Sequence, residues 1–582
     1  MRSQLLALLG LFAASAIASR TEGHLRLLQH YRKKGLDTPK LHDRAEPAPA
    51  VEARADSGPG SSPSPHHFLN EKTKKYAVDG KTIPEYKGHD AGESYAGQLP
   101  ISDKKDEKNK LFFWFFPSDN EEHRKKKEIT IWLNGGPGCS SLLGLLQENG
   151  PFLWQKGTMK IVDNPWSWRH ITNMVYVDQP VSVGFSTGKT TIHNEDELAK
   201  QFMGFWKNFM ETFSMQGYKV YIAAESYGGF YGPFIGSHFV NAKDSRYYDL
   251  GGLMVIDGIS FSDDVQVEAV AAAYVEQNYN LFGFDDDTMA HLRSISKTCG
   301  YDDYLRKFYT YPPSGPQPSV PPWMKKLPNG KIENKPGCGG LYDNISYEAS
   351  AENPCFNPYN IRDHCPVLFD PLVGSPYFDR EDVKRAIHAP LDVKWKMCGG
   401  QAFVGQGQGT GDGSEPPSKY ELPNVIDKTR NVIYVHGGMD FMLPVNGLLL
   451  GIQNMTWGGQ RGFQSRPTDP FYVPVWALGD PTIPEGSHFY GSDFPSISGI
   501  AGTTHTERGF TIVVVGSAGH ELPEFAPTAA LRQLEKLLGR VRSLSGTEPF
   551  TLPQLAKIEQ FKPPLGKGTY PIPWLPNSRL SK

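Results

Sequence analysis

Val220-Tyr-Ile-Ala-Ala-Glu-Ser226-Tyr-Gly-Gly229 is the stretch whose reading decides the fold. Five apolar residues make a strand signal that breaks at Glu225-Ser226 into a Tyr-Gly-Gly turn. A serine on a sharp strand-to-helix turn, with small residues two before and two after it, is a nucleophile elbow, because crowding there tolerates only small neighbours. Ala224 stands where glycine is usual, and Gly228 completes the frame.

The same layout recurs on both sides of this stretch. Residues 129–133 run into Asn134-Gly-Gly-Pro-Gly138, 174–177 into Asp178, 431–435 into His436-Gly-Gly-Met-Asp440, and 511–515 into Gly516-Ser-Ala-Gly-His520. Leu111-Phe-Phe-Trp-Phe-Phe116 is a further apolar run between charge-rich loops and reads as a buried strand. Helical stretches at 195–212 and 527–544 separate some of these runs. The pattern predicts an α/β fold with a mostly parallel central sheet flanked by helices. Ligands of such sheets bind beyond the carboxyl ends of the strands, where these polar residues sit.

A serine nucleophile needs a base and an orienting acid. Asp440 and His520 each follow a strand and a glycine, and the chain order Ser226, Asp440, His520 is that of the α/β-hydrolase fold. Asp427 competes weakly for the acid role. His436 and His505 compete for the base role, but neither follows its strand in the required place. An oxyanion hole in this fold takes one N–H from the residue after the nucleophile, Tyr227, and one from an earlier strand-end loop, for which Gly136 is the candidate. Generic acyl transfer has no use for Glu225. If Glu148 lies beside it, the two carboxyls should share a proton, because like charges disfavour double ionisation. A protonated carboxyl can donate to an anionic ligand group, so a carboxylate-bearing substrate would bind best at acid pH.

Other signals fail. Gly188-Lys-Thr190 resembles the end of a P-loop, but Val183 stands where its first glycine should be. Gly519-His520-Glu521 lacks the second histidine of a zinc-protease helix. No cofactor or metal site is expected.

The chain has 582 residues, 39% of them hydrophobic and 21% charged, enough for a sizeable core. Its net charge of −3 offers no basic excess for a phosphate backbone, so nucleic acid is not an expected partner. Met1-Arg2, an apolar run from Leu5 to Ile17 and Ala16-Ile17-Ala18 read as a signal peptide over 1–18 and imply secretion. No other stretch is long and apolar enough to span a membrane. Residues 19–66 read as a flexible leader, 67–548 as the catalytic domain, and 549–582 as a Pro-rich tail. An insertion at about 262–385, with a helical stretch over 265–278 and four of six cysteines, reads as a disulfide-stapled lid. Six cysteines (139, 299, 338, 355, 365 and 398) in a secreted chain suggest three disulfides, and spacing does not choose their pairing. Asn344-Ile-Ser346 and Asn454-Met-Thr456 are glycosylation sequons.

Taken together, these motifs resemble the serine carboxypeptidases. The matching stretches are Glu93-Ser-Tyr-Ala-Gly97, Trp132-Leu-Asn-Gly-Gly-Pro-Gly-Cys-Ser-Ser141, Glu148-Asn-Gly-Pro151, Asp178-Gln-Pro-Val-Ser-Val-Gly-Phe-Ser186, Glu225-Ser-Tyr-Gly-Gly229 and Gly519-His520, dispersed over most of 90–525. The resemblance implies a secreted or vacuolar exopeptidase acting on peptide and protein C-termini at acid pH without a metal. It implies Ser226 as nucleophile, Asp440 as orienting acid, His520 as base, and Gly136 and Tyr227 as the oxyanion hole. It assigns the substrate carboxylate to Asn134, Gly135 and a protonated Glu225, with Glu148 and Trp132 in support. It also implies a Cys139–Cys398 disulfide, and nested pairing in the insertion, Cys299–Cys365 and Cys338–Cys355, is the expectation there. Glu521 departs from the apolar residue often found after the histidine, and a carboxylate lining the leaving-group pocket would favour a C-terminal Lys or Arg. An acyltransferase of the same fold and a non-catalytic hydrolase-like protein are the competing readings.

Overall fold

The computed structural model describes residues 66–399, 401–405, 411–474 and 497–552. The expected signal peptide, nearly all of the leader, residues 406–410 and the tail beyond 552 lie outside the described residues.

Among the described residues, eleven strands make one sheet. They are β1 (Ala77–Val78), β2 (Ser94–Pro100), β3 (Lys110–Phe116), β4 (Glu128–Leu133), β5 (Asn173–Asp178), β6 (Lys219–Glu225), β7 (Leu250–Ile256), β8 (Val432–Gly437), β9 (Asp469–Val473), β10 (Gly499–Glu507) and β11 (Phe510–Val515). Their order in space is β1-β2-β3-β5-β4-β6-β7-β8-β11-β10-β9. From β5 to β11 the neighbours run parallel, and the strands outside them pair antiparallel. This is the expected α/β sheet. Both of its faces are covered, which is why 111–116 reads as an uninterrupted apolar run. Phe112, Trp114 and Phe116 enter one core, and Leu111, Phe113 and Phe115 the other.

Two helices frame the site. In α1 (Glu195–Thr212), Asn194 caps the first turn by accepting from Glu197 N at 3.0 Å, and Leu198, Phe202, Phe205 and Phe209 face the sheet. Helix α2 (Gly228–Ala242) leaves directly from the Ser226 turn and is buried along most of its length. The C-terminal helix, α3 (Pro527–Leu537), is shorter than the stretch expected over 527–544.

The central strand β7 carries no clear strand signal because Gly251 and Gly252 interrupt it. A Cβ at Gly252 would lie 2.8 Å from the Asn431 carbonyl oxygen, so the neighbouring chain demands the glycine.

The insertion is helical but more broken than expected. Instead of one helix over 265–278 there are pieces at Asp263–Gln266, Glu268–Val270 and Ala271–Gln277, followed by Asp286–Cys299, Tyr301–Phe308 and Leu341–Glu352. Its disulfides are Cys299–Cys338 and Cys355–Cys365, which corrects the nested pairing. The physical reason is the helix Leu341–Glu352. Its first turn is tied to Glu268, whose carboxylate accepts from Leu341 N at 2.8 Å and Tyr342 N at 3.2 Å. Twelve helical residues then span about 18 Å. That carries Cys355 beyond disulfide reach of Cys338, since bridged Cα atoms lie within about 7 Å. The third bridge, Cys139–Cys398, is the one the resemblance implied.

Candidate active site

Ser226 follows β6 with φ +60°, the left-handed conformation of a strained elbow. Its backbone is held by three bonds: Ser226 N donates to Ile256 O at 2.9 Å, and Ser226 O accepts from Gly229 N at 2.9 Å and Ile259 N at 3.1 Å. The crowding argument has a direct measure here. A Cβ at Gly228 would come within 2.8 Å of the Ala224 Cβ, so only one of the two positions can carry a side chain. Alanine at 224 is therefore tolerated because 228 is glycine.

The loop after β4 lies against this elbow. A Cβ on Gly135 would sit 2.4 Å from Tyr227 N and 2.5 Å from Glu225 O, so glycine alone permits the loop's close approach to the backbone on both sides of Ser226. The loop is anchored from below by Asp178 at the end of β5, which accepts from Ser140 Oγ at 2.6 Å and Ser141 N at 2.9 Å. The Cys139–Cys398 bridge clamps its far side, with Ser140 N donating to Met397 O at 2.8 Å.

Asp440 and His520 meet as the chain order predicts. His520 Nδ1 lies 2.8 Å from Asp440 Oδ2, and Leu443 N donates to Asp440 Oδ1 at 3.0 Å. Both side chains are buried. Burial works against the imidazolium, but the Asp440 charge and hydrogen bond outweigh it and hold His520 above its ordinary value. Asp440 is likewise opposed by burial and held low by the His520 and His436 partners. The edge of the Tyr359 ring packs on the imidazole at 4.9 Å, and His520 N donates to Tyr359 O at 2.7 Å. His520 Nε2 is buried with no hydrogen-bond partner among the described residues, and Ser226 and His520 line one cavity. The competitors are elsewhere: Asp427 accepts from Gly458 N on the surface, His505 pairs with Glu507 on the antiparallel edge, and His436 lies behind Asp440.

Glu225 and Glu148 are also brought together. Asn134 Oδ1 accepts from Trp132 Nε1 at 2.8 Å and Gly144 N at 3.0 Å. Two obligate donors fix the amide orientation, so Nδ2 faces the acids. It donates to Glu225 Oε1 at 3.0 Å and Glu148 Oε1 at 3.3 Å. The Oε2 atom of each acid is buried without a donor among the described residues. Burial raises Glu148 to about 7. Burial and the Glu148 charge push Glu225 well above its ordinary value. The pair therefore holds protons at acid pH, and those protons can be offered to an anion.

The sequence did not point to Lys156, which lines the same cavity. Its ammonium pairs with Glu521 and, at 2.8 Å, with Glu524. Lys156 lies 365 residues from Glu521, and no local pattern announces the pair. Beyond Tyr227 a second cleft of about 1030 Å³ opens between the insertion and the segment from Asp412 to Lys419, against about 80 Å³ for the cavity at Ser226.

Residues 84–540 match the family model described as serine carboxypeptidase. The chain belongs to the serine carboxypeptidase family. A probable serine carboxypeptidase of Arthroderma benhamiae is 40% identical over 559 residues, covering 92% of this chain and 98% of that protein. Serine-type carboxypeptidase F of Aspergillus niger is 40% identical over 493 residues, covering 82% of this chain and 88% of that protein. The Kex1 prohormone-processing carboxypeptidase of Saccharomyces cerevisiae has the same fold, with a TM-score of 0.60 at 20% identity over 81% of this chain and 97% of that one. As a serine carboxypeptidase the chain is a hydrolase acting on peptide bonds, and its substrates are peptides. Among the described residues, no helix is long and apolar enough to cross a membrane.

Proposed function

We propose that this serine carboxypeptidase releases single residues from peptide C-termini at acid pH through an acyl-enzyme on Ser226. The observation that carries the reading is the Asn134–Glu148–Glu225 cluster beside the nucleophile. An internal peptide bond would have no use for it, whereas a terminal carboxylate would receive the amide of Asn134, the backbone at Gly135 and a carboxyl proton from Glu225. Glu148 keeps that proton shared, and Trp132 holds Asn134 in orientation. In this reading the leaving residue lies between the carboxylate site and Ser226. The rest of the peptide extends past Tyr227 into the larger cleft.

In this reading His520 Nε2 takes the Ser226 proton as Oγ attacks the scissile carbonyl, while the Gly136 and Tyr227 amides bind the oxyanion. Asp440 keeps the imidazole in the Nδ1–H tautomer and offsets the imidazolium charge. His520 returns the proton to the leaving amine, and water then repeats the cycle on the acyl-serine. Two titrations bound the activity. His520 must be neutral to act as base, so its titration sets the acid limit, and the Glu148 charge that helps to raise it is lost as Glu148 takes up its proton. The Glu148–Glu225 pair must be protonated, so affinity for a carboxylate falls as pH rises past about 7.

Residues 1–18 direct secretion, or delivery to a vacuole, and 19–66 form a leader ahead of the catalytic domain. Asn344 and Asn454 are exposed and suited to carry glycans. Glu521 contributes to leaving-residue selectivity jointly with Lys156, so its preference for C-terminal Lys or Arg is partly offset.

The test uses two peptides identical except for a free or amidated C-terminus, at about pH 4–5, with Ser226→Ala as control. Release of free amino acid from the free acid alone, lost in the variant, is expected. Internal cleavage of both would make it an endopeptidase. No cleavage, with acyl transfer to an added alcohol or none at all, would favour the acyltransferase or non-catalytic reading.

A further inference from the structure

Asp440 has a second imidazole against it. His436, near the end of β8, places Nε2 3.4 Å from Asp440 Oδ2 and 3.7 Å from Asp257 Oδ1, and all three side chains are at 0% exposure. Asp257, just beyond β7, adopts φ +46°, rare for a residue other than glycine. Its Oδ1 accepts from Gly437 N at 2.6 Å, tying the end of β7 to the turn that carries Asp440. His436 Nε2 also bonds the Leu443 carbonyl oxygen. A carbonyl can only accept, so Nε2 carries a proton in every charge state. Leu443 in turn donates its own N–H to Asp440. Asp440 thus accepts the Leu443 N–H at Oδ1 and has the His436 Nε2–H, given to the Leu443 carbonyl, within 3.4 Å of Oδ2, at a buried position where an unpaired charge would be costly.

We propose that His436, backed by Asp257, is a positioning residue of the catalytic triad, holding the Asp440 carboxylate in place for His520 through an imidazole N–H shared between the Leu443 carbonyl and that carboxylate. His436 and Asp257 share one proton between them. With that proton on either residue the pair is neutral in total, and Asp440 is the negative charge that this cluster presents to His520. Burial and the neighbouring Asp440 favour the protonated form of Asp257, while the two carboxyls oppose burial at His436. The N–H of His436 draws on the Asp440 charge and so weakens its hold on an imidazolium. That lets His520 shed its proton at lower pH and extends activity on the acid side.

The other titratable groups near this cluster are Glu521 and Glu148 on the His520 side, Glu225 near Asp257, and Tyr342 near Asp440. None is altered by the substitutions that follow, so a shift between variants reports on the surroundings of Asp440. The inference rests on the Ser226–Asp440–His520 reading. The test is the pH profile of kcat/KM for a free-acid peptide. His436→Leu is expected to raise the midpoint of the acid limb by about one unit, a roughly tenfold loss at the acid end, with a much smaller change on the plateau. His436→Gln, which keeps a side-chain N–H, is expected to restore the midpoint to within a few tenths of a unit. A uniformly lowered profile with an unmoved midpoint in His436→Leu would overturn the proposal.

If the leucine variant does not fold, downfield proton NMR of the wild-type enzyme decides instead. The His436 Nε2–H resonance, assigned by its absence in His436→Gln, should move with the midpoint at which His520 titrates. A His436 signal that ignores that titration would overturn the proposal. Ser226→Ala or His520→Gln that kept peptide release would overturn the triad itself, a result distinct from either.

Discussion

Replacing both buried acids with amides, Glu148→Gln together with Glu225→Gln, isolates the protons on which the proposed carboxylate recognition depends. The amides keep the size of the side chains and a neutral donor, and they cannot ionise. In the wild type, burial raises Glu148 to about 7, so the pair takes up negative charge above that pH. The binding-competent fraction then falls tenfold per pH unit, and the Kd for a free-acid peptide should be roughly 30-fold weaker at pH 8.5 than at its acid plateau. The double amide should bind within about threefold of wild type at pH 5, the scale of one altered neutral hydrogen bond. It should show no rise toward pH 8.5, and so bind about tenfold better than wild type there. The assay is calorimetric titration of a free-acid and an amidated peptide on a Ser226→Ala background, which removes catalysis and makes the measured constant a true Kd. The amidated peptide should bind weakly and without pH dependence in both proteins. Parallel Kd–pH curves for wild type and double amide would refute the shared-proton account, because the pH dependence would then come from elsewhere.

The same acids make a stability prediction. A carboxyl raised from 4.5 to about 7 contributes stability that is complete below pH 4.5 and lost as pH climbs to 7, roughly 3 kcal/mol for Glu148. Urea unfolding of wild type should therefore weaken across that window more than unfolding of the double amide. Ser226→Ala should lower kcat/KM at least about 10⁴-fold with little change in melting temperature. Gly135→Ala would place a Cβ 2.4 Å from Tyr227 N and force the two amides apart, so kcat should fall by about 10²–10³, an oxyanion-donor loss, while KM moves less. Lys156→Met leaves Glu521 and Glu524 without their cation, and the preference for C-terminal Lys over Leu should rise about tenfold, roughly 1.4 kcal/mol, as read from kcat/KM for matched peptides. Equal ratios before and after would remove Lys156 from the specificity account.

What was legible in the sequence lies where period and composition change together. The turns after β4, β6, β8 and β11 each switch from an apolar run to glycine and one polar residue. Ser226, Asp440, His520 and the Asn134–Gly136 loop all sit at such switches. Strands that break the pattern were lost. Gly251 and Gly252 hide β7 at the centre of the sheet, and the antiparallel strands β2, β9 and β10 have less regular apolar patterning than the parallel core. The pairing of the insertion disulfides is not legible from spacing because their geometry depends on where a helix starts. The contact of Leu341 and Tyr342 with Glu268 sets that start, and it joins residues more than 70 positions apart.

Glu521 and His436 show the same limit acting on function. Both were singled out for their residue type, one as a charge for the leaving group and one as a rival base. The identity of each residue is local information, but the sign and size of its field are sums over neighbours. Lys156 reaches Glu521 from 365 residues away and Glu524 competes for the same ammonium, so a carboxylate that reads as a bare negative charge becomes part of a compensated cluster. His436 is four residues before Asp440, yet what it does depends on Asp257, which arrives from a different strand. An electrostatic role is therefore readable from sequence only where the partner is itself fixed by a motif, as Asp440 and His520 fix each other through the order of strand ends. Where the partner comes from outside any motif, substituting the partner is the informative experiment, which is why Lys156 and Asp257 tell more about Glu521 and His436 than those residues' own sequence neighbours do.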